Sequence, residues 1–108
     1  MKAITVAIAA AMGCMSGLML ALAAERTIGQ KGRIFSETEV TIKSGEKLNF
    51  LNDDDIVHNV MSTSAGNEFN IGAQAPGIST PVTFKTKGDI AVICAIHPRM
   101  KMTVKVID

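Results

Sequence analysis

Cys94, Ala95, Ile96, His97, Pro98, Arg99 and Met100 follow one another near the C-terminus, so a thiolate, an imidazole and a thioether share one short loop. A second imidazole, His58, lies about 36 residues upstream in the strand candidate Ile56 to Met61. Two imidazoles, one thiolate and a weak thioether are the donor set of a copper site built for electron transfer. Thiolate and thioether favour Cu(I), and imidazole serves both oxidation states. A geometry between the two preferences keeps rearrangement small when an electron moves. Taken singly, Cys94 reads as a small buried hydrophobe, His97 as a loop residue, and Met100 and Met102 as core fillers. Taken together, the residues after Ala23 contain no other Cys or His, so no rival set of soft ligands can be assembled. Met100 and Met102 share the parity of Val104 and Val106. Alternation does not separate them, but counting back from the closing strand favours Met100 as axial ligand, with Met102 the alternative.

Those ligands need export and a scaffold. Lys2 is followed by an apolar run from Ala3 to Ala24 with small residues at its exit, the pattern of a secretory signal cleaved after Ala23. Retained, the same run (residues 3–24) is long enough to tether the protein to a membrane. Either way residues 24–108 form one exported domain, periplasmic in location. Cys14 lies inside the run rather than at its end, which argues against a lipidation site. The chain of 108 residues carries 11 Lys+Arg against 10 Asp+Glu, and removing Lys2 balances the two. Such a balance gives no electrostatic basis for nucleic-acid binding. Cys94 is then a lone thiol in an oxidising compartment, where it needs a ligand rather than a disulfide partner.

Outside the leader no window has helical periodicity, and the chain reads as short strands. Glu39–Lys43 and Lys47–Asn52 alternate polar and apolar residues around the turn Ser44-Gly45-Glu46, which predicts a hairpin. Ile56–Met61, Pro81–Thr86, Ile90–Cys94 and Met102–Ile107 add further strands, with a short piece around Phe69-Asn70-Ile71. Residues 62–79 read otherwise as loop. Six or seven such strands predict an all-β antiparallel sandwich or barrel with Phe35, Phe50, Phe69 and Phe84 in its core.

Cys94-x-x-His97-x-x-Met100, His58-Asn59-Val60 and the run Gly88-Asp89-Ile90-Ala91-Val92-Ile93-Cys94 together resemble the cupredoxins, within them the small amicyanin, plastocyanin and pseudoazurin group. The opening segment Gln30–Phe35 fits the same pattern, and the resemblance covers nearly all of residues 25–108. It implies a Greek-key β-sandwich holding one copper ion per chain at one end. It implies a one-electron carrier rather than an enzyme, acting as a monomer. Redox donor and acceptor would dock on an apolar patch around His97, with Ile96, Pro98 and Met61 as candidates. His58 would be the buried ligand. The chain departs from the family in having no Trp or Tyr. Ala95 also stands where a hydroxyl residue often hydrogen-bonds the Asn beside the upstream His, so Asn59 must reach the ligand loop through backbone groups or lose that brace.

Asp53-Asp54-Asp55 reads as a solvated turn, and Arg99 places the opposite charge beside the ligand loop, so no partner charge follows. A second reading is copper delivery, with the metal as cargo held by exchangeable Met and His. No Ser/His/Asp or paired-carboxylate arrangement points to catalysis.

Overall fold

The structure, a computed structural model, describes residues 26–108; the leader assigned to residues 1–23 lies outside them. The described residues form nine strands and no helix. These are β1 (Arg26–Lys31), β2 (Ile34–Phe35), β3 (Glu39–Lys43), β4 (Lys47–Asn52), β5 (Met61–Ser62), β6 (Phe69–Asn70), β7 (Ser79–Thr83), β8 (Gly88–Ile93) and β9 (Lys101–Ile107). One sheet has the order β2-β1-β4-β7 and the other β3-β9-β8-β5-β6. The chain passes repeatedly between them, giving the expected Greek-key sandwich, but with mixed rather than antiparallel sheets, since β1 pairs with β4 and β3 with β9 in parallel.

Period-2 patterning explains the core. Val40 and Ile42 of β3, Leu48 and Phe50 of β4, and Met102, Val104 and Val106 of β9 are buried, and the residues between them are more exposed. Phe35 and Phe50 meet edge to face at 6.3 Å, as do Phe69 and Phe84 at 5.7 Å. Phe35, Phe50 and Phe84 are buried, while Phe69 packs against the core from its margin.

Two expectations are corrected. The segments Glu39–Lys43 and Lys47–Asn52 are strands but not a hairpin. β3 pairs in parallel with β9, and β4 pairs with β1 and β7 in the opposite sheet. Alternation specifies which side chains face the core and leaves open which strand lies alongside. The Ser44-Gly45-Glu46 turn instead carries the chain across the sandwich. Gly45, at φ 91°, donates to the carbonyl of Phe84, and Ser44 donates to that of Ile107, pinning the corner to both sheets.

The strand expected over Ile56–Met61 shrinks to β5. His58, Asn59 and Val60 are buried in succession, a pattern that strand alternation cannot produce. His58 makes only a single bridge, to Gln74. Pro81 lies within β7 because β7 is an edge strand, where a missing N–H leaves no central ladder broken. β8 ends at Ile93 and β9 begins at Lys101, so the loop from Cys94 to Met100 caps one end of the sandwich.

Candidate metal centre

The β8–β9 loop is closed on itself: Cys94 N–H donates to the Met100 carbonyl (3.1 Å) and Met100 N–H to that of His97 (2.8 Å). This folds Cys94 and His97 toward each other and toward His58. The Nδ1 atoms of His58 and His97 are 3.2 Å apart, and Cys94 Sγ lies 3.8 Å from His97 Nδ1. All three ligand atoms lie within 4.8 Å of one another. Ring nitrogens about 2.0–2.1 Å and a thiolate about 2.3 Å from one ion would be spaced roughly 3–4 Å apart, so this donor set fits a single metal ion. Cys94 and His58 are fully buried and His97 is half-buried, so the cluster reaches solvent through His97.

Asp54 corrects its reading as a solvated turn residue. Its Oδ2 lies 2.9 Å from His58 Nε2 and accepts the Arg33 N–H at 3.2 Å. The His58 hydrogen bond first, then that from Arg33, lower the Asp54 carboxyl from 3.8 to about 2. A carboxylate on the far nitrogen fixes which nitrogen of His58 faces the cluster.

Asn59 does tie the loops together, through the backbone of Ala95. The Ala95 N–H donates to Asn59 Oδ1 (3.1 Å), and Asn59 N–H donates to Cys94 Sγ (3.3 Å). Asn59 Nδ2 in turn donates to Asn70 Oδ1 and to the Gly72 carbonyl.

A buried amide network behind His58 was not anticipated. Gln74 exchanges backbone hydrogen bonds with His58. Its Nε2 donates to the Phe50 carbonyl (2.9 Å) and Thr80 Oγ1 (3.1 Å), and its Oε1 accepts from Gln30 Nε2 (2.7 Å). Asn52 Nδ2 bonds the carbonyls of Gln74 and Ile56, and its Oδ1 accepts the Asp54 N–H. The available signal was parity: Gln30 shares the face of Ile28, and Asn52 that of Leu48 and Phe50.

Met100 and Met102 are both buried. Met102 is a ladder residue of β9 opposite Val92, whereas Met100 sits in the ligand loop, bonded through its carbonyl to Cys94. At the surface a groove runs beside His97, lined by Arg33, Ile34, Ile96, Pro98 and Arg99. Met61 does not line it. That residue is half-buried in β5, opposite Asn70 and Ile93.

Among solved structures, amicyanin from Paracoccus versutus is 27% identical, with a TM-score of 0.68 over 79% of this chain and 83% of that one. A purple cupredoxin from Nitrosopumilus maritimus is 22% identical, with a TM-score of 0.67 over 76% of this chain and 99% of that one. A copper-containing nitrite reductase from Thermus scotoductus SA-01 is 24% identical at a TM-score of 0.71. The match takes in 78% of this chain but only 22% of the reductase. No curated protein matches in sequence. Residues 23–107 match the copper-binding proteins of the plastocyanin/azurin family, and with the fold and the His58, Cys94, His97 cluster this establishes that the chain belongs to that family.

Proposed function

We propose that this chain is an exported, periplasmic one-electron carrier, monomeric and non-enzymatic, in which His58, Cys94, His97 and Met100 hold one copper ion. Copper, when bound, supplies the Cu(I)/Cu(II) couple. The chain's own residues do the rest. Asp54 orients His58, the Asn59 N–H donates to the Cys94 sulfur, and the Asn59 side chain ties the two ligand loops. Core packing excludes water from Cys94 and Met100. His97, half-buried beside Ile96 and Pro98, is the route to donor and acceptor proteins.

The convergence of His58, Cys94 and His97 carries this reading. The burial of Met100 and Met102 supports a retained redox centre over copper delivery, which calls for exposed, exchangeable thioethers. The test is the optical and EPR spectrum of the copper-loaded, oxidised protein together with its electrochemistry. The expected result is an intense visible thiolate-to-Cu(II) band, abolished by Cys94→Ser, and reversible one-electron cycling with copper retained. Absence of the band, or ready transfer of Cu(I) to an acceptor without cycling, overturns it.

A further inference from the structure

The chain has three arginines, and one of them, Arg26, is paired with Glu37 at 4.0 Å. Neither of the other two, Arg33 and Arg99, has a carboxylate oxygen within 4.0 Å of its guanidinium among the described residues. Both are exposed, and both line the groove that contains His97. They come from opposite ends of the sequence: Arg99 lies in the ligand loop and Arg33 at the tip of the β1–β2 hairpin. The same groove is lined by the exposed apolar surfaces of Ile34 (63%) and Ile96 (50%) and by Pro98. No acidic residue lines this groove. Asp54 and Asp55 line a neighbouring one that has only Arg33 in common with it.

The backbone supplies an independent observation. Lys31 pairs with Ile34, so the hairpin turn is Gly32-Arg33, and both residues have positive φ, 65° and 59°. That is the two-residue turn in which Asn-Gly and Gly-rich pairs are favoured. Arg33 is the only non-glycine residue with positive φ among the described residues. A long side chain with no local means of stabilising the left-handed conformation is strained there, and such strain collects at functional positions. The hairpin itself does not need an arginine, since Asn or Gly would turn the chain at lower cost.

From this juxtaposition we infer that the His97 groove docks an acidic partner, a redox protein that surrounds its own redox centre with carboxylates. The inference rests on the carrier function proposed above and names the partner's charge. Ile34, Ile96 and Pro98 supply the dry contact around His97. Arg33 and Arg99 line the same groove, each able to take a carboxylate in a bidentate fork. The overall charge balance does not oppose this, because steering depends on the local field at the exit rather than on the sum over the chain.

Two small oxidants of opposite charge test the sign of that field on the full copper-loaded, reduced protein. In each reaction one electron leaves the reduced protein and reduces the oxidant, Fe(III) to Fe(II) in hexacyanoferrate or Co(III) to Co(II) in tris(phenanthroline)cobalt. The anionic iron complex should react more slowly as ionic strength rises, and the cationic cobalt complex should not. Arg33→Glu and Arg99→Glu should each slow hexacyanoferrate by about 3-fold or more at low salt and together reverse its salt dependence. Lys85→Glu, at an exposed site outside this groove, should leave both rates unchanged. Arg33→Asn separates charge from folding: it should slow hexacyanoferrate while leaving the melting temperature equal or higher, because the turn relaxes. A salt dependence of attractive sign for the cobalt complex, or rates indifferent to both charge reversals, overturns the acidic-partner inference while leaving the carrier function standing. Failure of both oxidants to take an electron overturns both.

Discussion

The main chains of His58 and Gln74 hold each other: His58 N–H donates to the Gln74 carbonyl at 3.0 Å, and Gln74 N–H to that of His58 at 2.7 Å. This isolated bridge joins a ligand-bearing segment outside regular strands to a residue whose side chain is anchored in the opposite sheet. His58 is therefore positioned by a buried amide rather than by a ladder. Gln74→Leu should leave Gln30 Nε2 without its partner and take a side-chain donor from the Phe50 carbonyl, costing about 1–3 kcal/mol in denaturant unfolding. It should also move the reduction potential and the EPR pattern, since the residue bridged to His58 loses its side-chain hold on the opposite sheet. Asn67→Ala is the contrast. Asn67 clamps Lys85 and Thr86 away from the site, so its loss should lower stability with the spectrum unchanged.

Asp54 gives the acid limb of stability a specific source. Its carboxyl is depressed from 3.8 to about 2 in the folded protein. A depressed carboxyl contributes stability that is fully present above the unfolded value and is lost as pH falls through the folded one. Metal-free protein should therefore lose stability between about pH 4 and pH 2, and Asp54→Asn should flatten that limb in urea titrations. In copper-loaded protein the same change removes a negative charge behind His58, favouring Cu(I) and raising the potential.

Asn59 uses both ends of its amide. Asn59→Ala frees the Ala95 N–H and should cost about 1–3 kcal/mol. Asn59→Asp keeps the acceptor for Ala95 but turns a carboxylate oxygen toward Asn70 Oδ1 and the Gly72 carbonyl, two oxygens that accept from Asn59 Nδ2 in the native protein. Thermal unfolding should find it at least as damaging as the alanine variant, although it is the closer isostere.

The two methionines should separate spectroscopically. Met100→Leu and Met102→Leu conserve volume in a packed core, so each should cost under about 1.5 kcal/mol. If Met100 supplies the thioether proposed above, Met100→Leu should raise the potential and alter the EPR spectrum. The Met102 variant should leave both unchanged, as its side chain belongs to the β9 ladder.

Much of the site was legible in the residues themselves. Cys94 and His97 are close in sequence because one loop bears both, and His58 was the sole remaining imidazole. Strand positions followed from alternation in β3, β4 and β9, where one face is buried and the other more exposed, and for β8 from an apolar run. Partners did not, and the β3–β4 pairing failed for that reason. Two runs with the same alternation satisfy a core equally well side by side or face to face.

Side-chain chemistry set the donor set, the ligand loop and the inward faces, because these depend on residue type, short spacing and period 2. Tertiary structure alone decided that Asp54 serves His58, that Gln74 anchors it, and that Arg33 joins Arg99 beside His97. Each of those relationships joins segments whose approach is fixed by how the two sheets stack and how the corners cross between them. Local periodicity carries no information about that packing.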